Sequence, residues 1–206
     1  LSDLYVHYGC GFCAPEDWLN FDASPTLRFE RLPVIGRLYT KNQTRFPANV
    51  RYGDIVRGLG LPDGSCRAVY CSHMMDYLTP EDARKALANS RKMLAPNGIF
   101  RLVVEDCTRF MKDYLAHPSP EAAGRFMAET GWGRSGQRGL ARLAKEYAGH
   151  PNRLWMWDFL SLSDALESAG FNAIRRAQFG DSEDPRFSTV EAEGRWIGSI
   201  GIECRG

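Results

Sequence analysis

Lysine is scarce in this 206-residue chain, five against 21 arginines, and no block of basic residues occurs. With 26 basic and 25 acidic residues the formal net charge is +1. Duplex nucleic acid is therefore not the expected main partner, because phosphate-binding domains concentrate positive charge on one face. Long apolar runs are absent too; none approaches the roughly 18 to 20 residues a membrane-spanning helix needs. Six cysteines, at positions 10, 13, 66, 71, 107 and 204, are too few and too scattered for a disulfide-framed secreted fold. A reducing cytoplasm is the expected compartment, and neither a basic n-region nor an apolar h-region precedes the first strand-like run. No internal repeat, low-complexity tract or interdomain linker divides the chain.

What is present is the profile of one globular domain spanning residues 1–206, at 44% hydrophobic and 25% charged. A chain of this length buries roughly 70% of its unfolded surface, enough for a core and a ligand cleft without metal or disulfide staples. Leu4–Tyr8 reads as a buried strand running into the turn Gly9-Cys10-Gly11, and Trp18–Asp22 as a second strand. Pro25, Pro33 and Pro47 cut residues 23–48 into one short helix plus loop. Asn49–Tyr52 and Arg67–Ser72 read as further strands. The helix Thr79–Leu94 has Thr79 as cap, Pro80 in its first turn and Asp82 three residues on, with Ala83, Ala86, Leu87, Ser90, Met93 and Leu94 on one face. Ala95–Gly98 is expected to turn into a strand Ile99–Val104. Helices are expected around Phe110–Leu115, after Ser119-Pro120, over Arg138–Tyr147, and from a Ser161 cap to Gly170. Phe171–Phe179 and Ile197–Cys204 close the pattern as strands. Strand, turn and helix in this alternation predict an α/β, doubly wound, mostly parallel seven-stranded sheet flanked by helices.

In such a sheet a ligand sits beyond the carboxyl ends of the strands, so the residues after each strand are the ones to read. Gly9 and Gly11 allow close backbone approach; a plain tight turn explains them equally. Asp22 can accept both hydroxyl protons of a ribose, or simply form a turn. Asp54 and Ile55 can meet an adenine amino group and ring. Ser72-His73 and Glu105-Asp106 end the next two strands. Glycine turn, acid, acid and polar pair at successive strand ends is a pattern chance rarely assembles.

The stretches VHYGCGF (6–12), DWLNFD (17–22), VRYGDI (50–55), GLPDGSCRAVYCSHMMDYL (60–78) and RKMLAPNGIFRLVVED (91–106) resemble the class I S-adenosylmethionine-dependent methyltransferases, in particular a small bacterial branch with a Rossmann-like fold. LWMWDFLSLSDALESAGF (154–171) and FGDSEDPRF (179–187) look like the same branch. The resemblance implies S-adenosylmethionine as cofactor and S-adenosylhomocysteine as product. It implies that Gly9, Cys10 and Gly11 line the methionine end, Asp22 and Ala23 the ribose, Asp54 and Ile55 the adenine, and Ser72 the methionine amino group. It also makes residues 23–47 and 116–152 lid or insert segments. The chain departs from the pattern in four places. Val6-His7-Tyr8 lacks the usual acid before the glycine turn, and the third glycine of the longer fingerprint is missing. Asp76-Tyr77 stands where Glu-His is usual. Only Gly9 to Trp18 joins the first two strands, so the first helix must be very short or missing.

Methyl transfer from a sulfonium is an in-line displacement with a neutral leaving group, so positioning and desolvation carry most of it. A hydroxyl acceptor needs a base; His73, Asp76, Glu105 and Asp106 are the candidates, His73 first because its ordinary pKa lies near neutrality. The expected partner is a small acceptor, anionic or sugar-containing. Arg134, Arg138, Arg142, Lys145, His150 and Arg153 either clamp an anion or form a solvated helical face. Residues 27–45 mix apolar and basic side chains, and Pro33 favours a lid on the sheet over a helix on a membrane surface. Residues 181–195 form a polar connection that borders the acceptor pocket or is simply exposed. Cys10-x-x-Cys13 invites thiol redox or zinc chemistry but lacks a second ligand pair and any thioredoxin-like surroundings, so no metal is expected. Two other classes remain: a non-catalytic nucleotide-binding module with the same fold, and a nicotinamide-dependent oxidoreductase, which the missing Gly-x-x-Gly continuation disfavours.

Overall fold

The computed structural model describes residues 3–33, 36, 44–132 and 153–206. Its strands are β1 (Leu4–Tyr8), β2 (Leu19–Asp22), β3 (Val50–Tyr52), β4 (Cys66–Ser72), β5 (Leu94–Glu105), β6 (Asn172–Ala177) and β7 (Ser199–Arg205). They form one sheet in the order β3-β2-β1-β4-β5-β7-β6. β1 to β5 run parallel, and β7 is antiparallel to both β5 and β6. The chain leaves β1 toward β2 and β3 and returns on the other side as β4. The carboxyl ends of β1 and β4 therefore flank the switch point, where a crevice opens.

Alternation along the strands splits the core into two layers. Val6, Tyr8, Val69, Cys71, Phe100, Leu102 and Val104 belong to the larger layer. Against it pack α2 (Pro80–Met93) through Ala83, Ala86, Leu87 and Met93, and α5 (Phe159–Ser168) through Leu162 and Leu166. α2 keeps its expected face and its Thr79 cap, whose side chain accepts the Asp82 N–H. α1 (Pro25–Glu30) is the short helix expected after β2, and α3 (Cys107–Ala116) and α4 (Ala122–Thr130) follow β5.

The opposite layer is built differently. Residues 9–18 form turns with no helix, as the short connection required. The space that a crossover helix commonly fills is covered instead by the β6–β7 connection, whose Phe187, Val190 and Trp196 pack on Tyr5, Trp18, Ala68, Tyr70, Ile99 and Val103. Trp18 Nε1 donates to Thr189 Oγ1 at 3.0 Å, and its ring meets Phe187 edge-on at 5.4 Å. Arg101, in the middle of β5, fastens this connection down. Its fully buried guanidinium donates to Glu191, to Asp181 at 2.9 Å, to Glu203 at 3.1 Å and to the Gln178 carbonyl at 2.6 Å. Arg175 reaches Asp181 and Glu203 at 2.7 and 2.8 Å. Buried charges persist only when paired in this way.

Several boundaries differ from expectation: β6 spans Asn172–Ala177 rather than 171–179, and β7 begins at Ser199 rather than 197. α5 is capped by Asp158 rather than Ser161: Asp158 accepts the Ser161 N–H at 2.7 Å and Ser161 Oγ answers the Asp158 N–H at 3.2 Å, closing a capping box one turn earlier. β5 starts at Leu94, which pairs with Cys66; the register then shifts before Ile99 meets Ala68, and the turn expected over 95–98 survives as an irregularity within the strand, with Asn97 in the left-handed region at φ 60°. Beyond Ser119-Pro120, helical structure begins only at Ala122. The helix expected over 138–147 and the cluster Arg134, Arg138, Arg142, Lys145 and His150 lie outside the described residues, as does much of the mixed apolar and basic stretch within 27–45.

Candidate active site

A cleft of about 500 Å³ opens at the carboxyl ends of β1 to β4. Its walls include Tyr8, Gly9, Asp22, Ala23, Ser24 and Pro25 on one side and Gly53, Asp54, Ile55 and Val56 at the far end. Ser72, His73, Met74, Tyr77, Leu78 and Arg195 complete it. Residues far apart in sequence meet here because the parallel register brings every strand end to the same edge.

The glycine turn is built for close approach. Gly9 has φ +64°, and a Cβ there would lie 2.9 Å from Met74 Cγ, so no side chain fits; Gly11, at φ +53°, faces open space. Gly11 donates its N–H to Asp22 Oδ2 at 2.9 Å, and Ser24 donates to Oδ1 at 2.7 Å. Asp22 is thus both the turn former and a lining residue of the cleft. Burial pushes its carboxyl up from the ordinary value, opposed by those two N–H bonds. Cys10 is placed otherwise: its side chain is buried with Leu27, Phe46 and Val50, and burial pushes the thiol up to about 12. That position offers no thiolate for redox or metal chemistry.

At the far end Asp54 Oδ1 accepts the Val56 N–H at 3.0 Å, and its other oxygen lies 3.5 Å from Arg57. Ile55 is buried beside it, and its carbonyl is held by Asn89 at 2.7 Å. A Cβ on Gly53 would strike the Phe21 ring at 2.6 Å, which keeps this bend of chain against β2.

The base candidates separate in space. His73 lines the cleft in a left-handed conformation at φ 49°, its Nε2 2.8 Å from the Arg195 carbonyl and its Nδ1 3.8 Å from Glu105. Burial holds its pKa below the usual imidazole value. Glu105 is clamped by Arg153 at 2.6 Å and approached by Arg109 at 3.6 Å. Asp76 is fully buried beneath the cleft; its Oδ2 accepts the Glu105 N–H at 3.5 Å and its Oδ1 has no partner. Burial, more than any neighbour, pushes its carboxyl up to about 7. Asp106 caps α3 through the Thr108 N–H at 2.8 Å.

Arg195 is the residue whose place in the cleft the sequence does not reveal. It arrives from the β6–β7 connection, and its Nε and Nη2 donate to the Oγ and carbonyl of Ser72 at 3.0 and 3.3 Å. The sequence marks 181–195 only as a polar connection that borders an acceptor pocket or is exposed.

Comparison with known proteins bears on the domain and the fold. Residues 7–102 match the family model described as a methyltransferase domain. A probable methyltransferase, ltbC, of Aspergillus luteorubrus is 42% identical over 48 residues, which is 23% of this chain and 17% of that protein's length. Among solved structures, an S-adenosylmethionine-dependent methyltransferase of Thermotoga maritima, described as a possible histamine N-methyltransferase, aligns with a TM-score of 0.55 at 17% identity, covering 98% of this chain and 81% of the other. One from Mesorhizobium loti aligns with a TM-score of 0.51 at 20% identity, covering 100% and 91%. At these identities the structural likeness is one of fold. Residues 7–102, a little under half of the chain, are thus similar to a methyltransferase domain, and the structural likeness shows the same fold.

Proposed function

We propose that the chain transfers a methyl group from S-adenosylmethionine to a small acceptor, anionic or sugar-containing, with the cofactor held in the cleft at the ends of β1 to β4. The observation that carries this reading is the Asp22 carboxylate facing the cleft beside the side-chain-free Gly9. Each Asp22 oxygen already accepts one backbone N–H, and each keeps acceptor capacity for one hydroxyl of a ribose diol. The buried Ile55 offers an apolar wall to a purine, with Asp54 next to it as an acceptor for an amino group. Ala23, Ser24 and Pro25 line the ribose side, which supports reading the start of the 23–47 segment as part of a lid.

When bound, the sulfonium supplies an electrophilic methyl group and departs as a neutral thioether. The chain's own share is to position and to exclude water. Met74, Tyr77 and Leu78 wall the cleft beyond Gly9 and shield the reacting region. His73 takes the proton of a hydroxyl acceptor at Nδ1, since its Nε2 is occupied by the Arg195 carbonyl. Glu105, held by Arg153, faces the same nitrogen and steadies the ring once it is charged. All six cysteines are free thiols, which supports a reducing, cytoplasmic setting. No helix among the described residues is long and apolar enough to cross a membrane.

The test is calorimetric titration with S-adenosylhomocysteine and S-adenosylmethionine, with NADH as control. Micromolar binding of both, none of NADH, and loss of binding in Asp22→Ala are expected. Normal cofactor binding by that variant would refute the site, and preference for NADH would refute the reaction class.

A further inference from the structure

The charges lining the cleft are not evenly spread. Among the described lining residues the acids, Asp22 and Asp54, follow β2 and β3, whereas the one arginine, Arg195, stands at the end of β4. Arg195 is exposed to the cleft, and among the described residues no carboxylate pairs with it. Its bonds to Ser72 use Nε and one N–H of Nη2. A guanidinium has five N–H groups, so a fork of donors remains for an anion. The side chain is also pre-positioned. Its own carbonyl is tied to His73 at 2.8 Å, and the adjoining Trp196 ring lies under the Arg101 guanidinium at 4.6 Å. An arginine held at its root and at Nε loses little freedom on taking a ligand.

The same contacts change what Ser72 can do. Both its hydroxyl and its carbonyl already accept from Arg195, so the polar group presented at the end of β4 is the guanidinium. A ligand matching this cleft carries a diol near Asp22 and a carboxylate near Ser72.

We propose that Arg195, delivered by the β6–β7 connection, receives the methionine carboxylate of the cofactor. This assignment rests on the reading of the cleft given above. An anionic acceptor is the other source of such a carboxylate, and one pair of ligands separates the two. S-adenosylhomocysteine carries the amino-acid tail; 5′-methylthioadenosine has the same nucleoside and thioether without it.

The experiment titrates both ligands into the intact protein, Arg195→Leu and Arg195→Lys. Arg195→Leu should weaken S-adenosylhomocysteine about tenfold to a hundredfold, as loss of a charge-assisted bond predicts, and leave 5′-methylthioadenosine unchanged. Arg195→Lys should keep part of the affinity. Unchanged binding of 5′-methylthioadenosine also certifies that the variant is folded. Equal weakening of both ligands would reduce Arg195 to a structural role and overturn the proposal. Undiminished S-adenosylhomocysteine binding would overturn it as well and return Arg195 to the acceptor. Failure of the intact protein to bind either ligand would instead refute the cofactor reading of the cleft.

Discussion

His73 Nε2 lies 2.8 Å from the backbone carbonyl of Arg195, across 122 residues of sequence. A carbonyl oxygen only accepts, so the imidazole proton in this pairing is on Nε2 and the lone pair on Nδ1. Burial lowers the pKa of the ring, which keeps that lone pair free near neutral pH. The backbone of the C-terminal connection thus fixes both the orientation and the tautomer of a residue at the end of β4.

Nitrogen-detected NMR of the histidines checks this directly. His73 is expected as the Nε2–H tautomer, titrating below the ordinary imidazole value of 6.5. Observation of Nδ1–H as the neutral form would remove His73 as a base. With an acceptor in hand, His73→Gln should lower kcat roughly 10²- to 10⁴-fold and flatten the acidic limb of the rate profile.

Asp76 makes stability depend on pH in the direction opposite to most carboxylates. Its pKa rises from 3.8 to about 7 on folding, chiefly through burial, with the Glu105 carboxylate adding to the shift and Arg153 opposing it. The folded chain therefore holds a proton that the unfolded chain has lost. The group's stabilising contribution is complete below its unfolded pKa and disappears as pH rises through about 7. Asp76→Asn should match the intact protein below about pH 4 and exceed it above pH 7 by on the order of 4 kcal/mol, or roughly 8–16 °C in melting temperature. Melting curves across the pH range decide; parallel curves for the two proteins would contradict the assignment.

Arg101→Met should cost about 3–5 kcal/mol, because it strands Glu191 as a buried, uncompensated charge and leaves Glu203 and Asp181 to Arg175 alone. Adding Glu191→Gln should recover part of the loss in denaturant titrations. The same variant should weaken S-adenosylhomocysteine binding, since the loosened connection carries Arg195. A variant with full stability would show that the ion cluster is not what holds residues 178–196 on the sheet.

Much of the fold is written locally. Thr79, Pro80 and Asp82 announce a helix start, and the spacing of Ala83, Ala86, Leu87 and Met93 gives its buried face; both are found as read. The strand-end positions of Asp22, Asp54 and Ser72 follow from runs of β-branched and aromatic residues ending in polar ones, and all three line one cleft. What sequence could not show depends on partners far away. Arg101 reads as a charged residue on an otherwise apolar strand, yet it is wholly buried because Asp181, Glu191 and Glu203 converge on it from 80 to 102 positions downstream. Arg195 is equally silent, since its partners Ser72 and His73 precede it by more than a hundred residues. The Ser161 cap failed for a local reason: a better acceptor, Asp158, lies three residues earlier.

The covering of the β1–β2 turns by the β6–β7 connection has a consequence for the order of assembly. Cys13 meets Val190 across 177 residues, and Trp18 meets Thr189 across 171. Loops that long close late. A chain emerging from the ribosome can pair β1 to β5 and expose Asp22 and Gly9 well before residues 178–196 exist. Until they arrive, the Tyr5, Trp18 and Tyr70 face lies open to water and the cleft lacks its arginine. Full affinity for S-adenosylhomocysteine should therefore appear only once residues 178–196 have been made, and the half-made sheet is the species most prone to aggregate or to recruit a chaperone.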